Sequence, residues 1–392
     1  MQFLSQKQVV RYWLLLTMGL SWLSAASAQT TTLHDELDRI VVALRYVQND
    51  YVTPISESVL ANACREGAEN ALRTATPEAV SDGHDAGVDN STLRDLIQWI
   101  QGAMNRAPAG VTARQLTDAC LRTVFSKLDA RSAYFPQSDL QRLSNQQQKP
   151  STSTLPAASN QTTNAADPSR NPASVRAWLF ARKHLYLQIA RLNQDTVNQL
   201  GTALRAIDPA LFRDLSGMVL DLRNNPGGVL TAAVGVASAF LPPAAPIATT
   251  ASRTGNTVYV ANSRSYGFYG AIHDDPLRDL PAGVKTLPMA VLVNHQTGAG
   301  AELIAAALQD NQRAQIAGEG TLGQGSVQTL SPTPIGVLKL TTSKLLRPSG
   351  QEWDIKGVVP DRRTNQKTGP GVEFGSKDDV ELVETLRIFD LR

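Results

Sequence analysis

Gly217-Met-Val-Leu-Asp-Leu-Arg-Asn-Asn-Pro-Gly-Gly228 is an apolar run of strand length that ends in a turn signature, and Leu230–Phe240 after it is apolar over a helix length. Strand, tight turn and helix in that order form half of a βαβ unit. The same rhythm extends both ways. Leu185–Ile189 reads as a strand, and Thr196–Ile207 as a helix with Asn193 or Asp195 near its cap. Met289–Val293 reads as a buried strand, Ala301–Gln312 as a helix and Ala314–Ala317 as another strand. Thr257–Ala261, Leu338–Leu340 and the segment after Gly357 add shorter strands. Continuous apolar strands alternating with helices predict a sheet covered by helices, so the fold class is α/β.

The N-terminal half has a different period. Leu37, Ile40, Val41, Leu44 and Val47 fall at helical spacing, and Val59, Ala63, Ala68 and Leu72 continue it after Pro54. Pro77, Gly83 and Gly87 mark a loop over Ala75–Ser91, and helices are expected at Thr92–Met104 and Ala113–Leu128. From Ser144 to Val175 the chain is Ser, Thr, Asn, Gln and Pro with almost no large apolar side chains, a composition that cannot bury enough surface to fold. At the start, Lys7 and Arg11 precede the apolar run Tyr12–Leu23 and the small residues Ala26-Ser27-Ala28. That is the layout of a secretory signal peptide cleaved after Ala28, with an apolar run too short to span a bilayer. The expected organisation is a signal peptide (1–28), a helical domain (29–143), a flexible linker (144–175) and an α/β domain (176–392), located in the periplasm or outside the cell.

The chain has 392 residues, 42% hydrophobic and 18% charged, which reads as globular. Its 37 Lys and Arg nearly balance its 35 Asp and Glu, which supplies no basic surface for nucleic acid. The five histidines are scattered and there is no Cys/His cluster of zinc spacing, so no metal and no cofactor are expected. The two cysteines, Cys64 and Cys120, read either as buried thiols or as a disulfide that an exported location permits, and both readings stay open.

Three segments carry a family resemblance. They are Gly217–Gly228; Val291-Leu-Val-Asn-His-Gln-Thr-Gly-Ala-Gly-Ala-Glu302; and Gly318-Glu-Gly-Thr-Leu-Gly-Gln-Gly-Ser-Val-Gln328, with Lys339–Thr342, Arg347–Gly350 and Gly357–Asp361 following. Together they resemble the carboxyl-terminal processing (tail-specific) serine proteases, from about Ala177 to the C-terminus, and Leu128–Phe135 is similar to the family's segment before its PDZ domain. The resemblance implies a crotonase-like protease domain. It implies a nucleophilic Ser at a helix N-terminus and a Lys base kept neutral by burial. It also implies an oxyanion hole of backbone amides, here those of Gly227, Gly228 and Gly300.

The departures are specific. Ala299 stands where the family's Ser precedes the helix Glu, here Glu302, and Gln324 stands where the Lys is expected, while Gln328 matches the supporting Gln. A methyl group cannot attack a carbonyl, and a carboxamide cannot accept a proton as an amine does. The linker occupies the place of the PDZ domain, so none is expected. Thr297 and His295 are the candidates for a rebuilt nucleophile and base, although a hydroxyl there is ordinarily a cap and His295 a polar loop residue. Ser326 and Ser343 have no recognisable base nearby. Gly318-x-Gly320-x-x-Gly323 matches a dinucleotide fingerprint, but no helix follows it. Asp221 and Arg223 read as a structural pair. The expected function is an exported pseudoprotease that binds a peptide or envelope protein, or regulates an active relative, and self-associates through its N-terminal helices. The alternative is an endopeptidase that uses Thr297.

Overall fold

A computed structural model describes residues 33–75, 92–107, 110–139, 174–271, 274–364 and 368–390. The expected signal peptide and nearly all of the expected loop (75–91) and linker (144–175) lie outside the described residues. The described residues form two compact units, one of residues up to 139 with 328–342, the other of 174–327 with 343–390.

The first unit begins with four helices: α1 (33–50), α2 (Glu57–Ala75), α3 (Leu93–Arg106) and α4 (Ala113–Ser126). Thr92 and Thr112 start α3 and α4 through capping boxes closed by Asp95 and Gln115. The hydroxyl accepts the amide three residues on, and the returning side chain accepts the cap's own amide, so two orphan donors are satisfied at once. The apolar stripes of the four helices meet in one core that includes Ile40, Leu44, Leu60, Leu96 and Leu121. Cys64 on α2 and Cys120 on α4 are joined as a disulfide within that core. Strand β1 (Ala133–Pro136) follows.

The second unit runs β2 (Val175–Phe180), β3 (His184–Ile189), α5 (Thr196–Arg205), β4 (Gly217–Asp221), α6 (Leu230–Phe240), β5 (Pro246–Ser252), β6 (Gly255–Val260), β7 (Met289–Val293), α7 (Gly300–Asp310) and β8 (Gln315–Gly318). Strands β9 (Ser326–Thr333) and β10 (Gly336–Leu346) come next, then the two-residue β11 (Arg362–Arg363) and helix α8 (Val380–Asp390). The main sheet has the order β11-β8-β7-β4-β3-β2, parallel except for β2. Its central strands β4 and β7 are buried at every residue, as expected of a sheet covered on both faces. Alternation decides which face each residue serves. Met218, Leu220, Met289 and Val291 pack with α5, α6 and α7, whereas Val219, Ala290 and Leu292 pack with α8.

Three findings amend the sequence expectation, and a fourth agrees with it. Residues 328–342 group with the first unit rather than with 176–392, and the start of β10 pairs with β1 there (Ala133 opposite Lys339). Val175, expected as the end of the linker, is buried and begins β2. Strands β5 and β9 lie beyond the expected elements, as does α8, although Leu382, Leu386 and Phe389 have helical spacing. Residues after the Gly318–Gly323 fingerprint form strand β9, so that match has no helix to serve.

The Leu128-Asp-Ala-Arg-Ser132 segment has a clear physical job. The Asp129 carboxylate accepts from the Arg131 and Ser132 amides (2.8 and 3.0 Å) and from the Ser132 and Thr341 hydroxyls (3.0 and 3.1 Å). Within the first unit this fastens the turn before β1 to β10.

The loops around Ala299 as a candidate functional site

The site is made by loops at the C-terminal ends of β4, β7 and β8, where open parallel sheets place their crevices. The turn after β4 is shaped by Asn225. Its buried side chain donates to the Ile189 carbonyl (2.8 Å) and accepts the Gly227 amide (2.8 Å). The Gly298 amide donates to the Asn225 carbonyl (2.9 Å), and Asn224 and Asn294 exchange hydrogen bonds (3.0 and 2.7 Å). These bonds zip the 224–228 turn to the 294–298 loop. The approach is so close that a Cβ built on Gly227 would stand 2.8 Å from the Ala299 methyl and 2.8 Å from the Gly300 nitrogen.

Ala299 immediately precedes α7 with φ 47° and ψ −114°. A side chain at positive φ with such a ψ is strained, at a cost of roughly 1–3 kcal/mol, and persists only where surroundings impose it. Here the imposing group is Glu302, which is fully buried. One carboxylate oxygen accepts the Ala299 amide (2.8 Å) and the Gln324 amide (2.7 Å), and the other accepts the Gly323 amide (2.6 Å) and the Thr321 hydroxyl (2.5 Å). One carboxylate thus locks the loop bearing Ala299 to the loop bearing Gln324.

The structure brings Gly227, Gly228, Ala299, Gly300 and Gln324 together. The Gln324 side-chain carbonyl lies against Gly298, 2.9 Å from where a Cβ on that glycine would be. The expectation for Gly227 as an oxyanion donor is corrected, because its amide is already given to Asn225. The Gly228 and Gly300 amides donate to no group among the described residues. Gln328 lies on β9, within the segment that groups with the first unit.

Thr297 and His295 do not form a rebuilt dyad. Thr297 is fully buried; its hydroxyl donates to the Leu222 carbonyl (2.8 Å) and accepts the Asn294 amide (3.0 Å). A hydroxyl committed in this way stabilises a loop and has no proton to give to a base. His295 is largely exposed and pairs with Glu319 at 3.1 Å.

Arg223 and Asp221 form a larger structure than a pair. The Arg223 guanidinium donates to Asp221, Asp379 and Glu381 and lies 3.9 Å from the centre of the Phe374 ring. Tyr186 donates to Asp221 (2.5 Å). Burial opposes the charge of Arg223, but its carboxylate partners outweigh burial and raise its pKa. Asp379 is likewise opposed by burial yet held below the usual carboxylate range by Arg223. Among the described residues no group of three His, Cys, Asp or Glu could hold a metal ion.

Residues 183–364 match the model of peptidase family S41. A carboxy-terminal-processing protease of Bartonella bacilliformis is 35% identical over 178 residues, which is 45% of this chain and 37% of that protein. A carboxyl-terminal-processing protease of Picosynechococcus sp. is 32% identical over 198 residues, covering 50% and 43% respectively. This chain therefore spans less than half the length of these curated relatives. In three dimensions it is similar to a photosystem II D1 C-terminal processing protease, with a TM-score of 0.52 at 17% identity over 86% of this chain and 95% of that one. That likeness carries the fold. Sequence and architecture agree: residues 183–364 match peptidase family S41, and the chain is similar over about half its length to carboxyl-terminal processing proteases.

Proposed function

We propose that this chain is a non-catalytic S41 homologue, an exported pseudoprotease that holds an extended peptide or an unfolded protein segment instead of cleaving it. The observation that carries this reading is the pairing of Ala299 with Gln324 inside a loop network that is otherwise intact. Glu302 still imposes the strained backbone at 299 and still ties the two loops together. Neither position retains a group able to attack or to take a proton. The Gly228 and Gly300 amides, unengaged among the described residues, supply donors for a peptide carbonyl, which is binding without turnover. The secretory layout of residues 1–28 supports action in the periplasm or outside the cell. No PDZ domain is assigned, since the linker composition stands in its place. The partners this reading calls for are an envelope protein or an active relative, with self-association through the N-terminal helices.

The test restores the chemistry. Purified wild-type chain should leave unfolded casein intact, and the Ala299→Ser/Gln324→Lys double variant should hydrolyse it while each single variant stays inert. Wild-type hydrolysis that disappears in Thr297→Val would sink the proposal in favour of an active endopeptidase.

A further inference from the structure

Gln324 enters the site through its side chain as well as its backbone. The backbone amide is given to Glu302 (2.7 Å), but the half-buried carboxamide makes no hydrogen bond among the described residues. The carboxamides of Asn224, Asn225 and Asn294 in the adjoining loops are each bonded to the protein. A polar group drawn partly out of water without a protein partner is poorly satisfied, and a ligand that supplies the missing bonds is favoured there.

Gly298 shows how the carboxamide is seated. Its backbone has no positive φ, so its conformation does not call for glycine. The space around it does. A Cβ there would stand 2.9 Å from Gln324 Oε1, 3.2 Å from Leu322 Cδ2 and 3.4 Å from the Pro226 carbonyl oxygen. The missing Cβ therefore makes room for the carboxamide beside the 226–228 turn, with Leu322 as an apolar neighbour. The same turn brings Gly227 against the Ala299 methyl and the Gly300 nitrogen.

The Gly228 and Gly300 amides offer donors alone. They serve a peptide carbonyl but not the N–H that every non-proline peptide unit also carries, and an N–H buried without an acceptor is costly. Gln324 offers Oε1 as an acceptor and Nε2 as a donor. We propose that Gln324 reads the main chain of the bound segment, Oε1 accepting a main-chain N–H and Nε2 donating to a main-chain carbonyl. The ligand so selected is an extended segment with free N–H groups, taken with little regard to its side chains and refused where proline stands opposite the carboxamide. This inference rests on the peptide-binding reading above and adds to it a specificity-determining residue and a ligand class.

Fluorescence anisotropy of dye-labelled unfolded casein, titrated with the full chain, tests it. Wild type should bind saturably. Gln324→Met keeps the length of the side chain without its donor and acceptor, and should bind about tenfold more weakly. Gly298→Ala should also weaken binding, because its methyl displaces the carboxamide. The thermal midpoint of Gln324→Met without ligand should match that of wild type, since the carboxamide bonds to nothing among the described residues. A lowered midpoint would give the carboxamide a structural role and overturn the proposal. An oligoproline, which has no main-chain N–H, should leave labelled casein bound; displacement as effective as that by unlabelled casein overturns it. Equal affinity of wild type and Gln324→Met overturns this inference and leaves the peptide-binding reading standing, whereas absence of binding by wild type overturns both.

Discussion

The proposed function rests on a methyl group at 299 and a carboxamide at 324, neither of which can attack a carbonyl or take a proton as an amine does. Ala299 has a backbone that suits glycine far better than alanine, because its amide, with those of Gly323 and Gln324, is drawn to the single buried carboxylate of Glu302. That makes Glu302 the residue on which local order depends. Glu302→Ala would leave three amides and a hydroxyl without their acceptor, and unsatisfied buried donors cost about 1–3 kcal/mol each before the loops rearrange. A loss of roughly 3–5 kcal/mol is expected, read as a lowered urea midpoint, with Glu302→Gln falling between wild type and Glu302→Ala. A change within about 0.5 kcal/mol, as at ordinary surface positions, would show that Glu302 is not the keystone.

Among the elements, the close crossing of α2 and α4 shows how local composition and covalent chemistry cooperate. A Cβ on Gly67 would stand 2.4 Å from the Ala119 carbonyl oxygen, so glycine is what lets the two helices meet there. One helical turn away, Cys64 and Cys120 are bridged across 56 residues of chain. Sequence spacing left the thiols' state open, because pairing depends on two Cβ atoms facing each other across an interface that no linear pattern specifies. Removing the bridge with Cys64→Ala/Cys120→Ala should lower stability by about 2–4 kcal/mol through the freed unfolded chain. Dithiothreitol should produce the same shift in wild type and none in the variant.

On the scale of the whole molecule, titration is the readout. Burial opposes ionisation of Asp129, Asp310 and Asp379, but donors from Arg131 and Ser132, from Arg347 and from Arg223 hold each below the usual carboxylate range. Their stabilisation is complete above the unfolded value near ~4 and is lost as pH falls through the depressed folded values. His184 acts at higher pH. It is buried against Phe389, neither ring nitrogen has a hydrogen-bond partner among the described residues, and burial lowers its pKa, with Asp390 opposing and Lys183 assisting. The unfolded chain takes up a proton near pH ~6.5 that the folded chain refuses, so stability should decline as pH drops below about 7. His184→Phe should flatten the thermal midpoint over that interval; an unchanged slope would show that His184 is not its source. The buried strand before Asn225-Pro-Gly-Gly, the helix that carries Glu302, and the presence of a methyl group at 299 and a carboxamide at 324 were all legible in the linear order of residues, since strand and helix periods and side-chain chemistry are local properties. Tertiary structure alone decided that Gly227's amide is consumed while Gly228's and Gly300's are not, among the described residues, that Thr297's hydroxyl belongs to Leu222, and that Arg223 gathers Asp379 and Glu381 from the far end of the chain. Hydrogen-bond partners are chosen by distance and direction in the folded chain, which residues remote in sequence acquire only once the sheet and its loops have assembled.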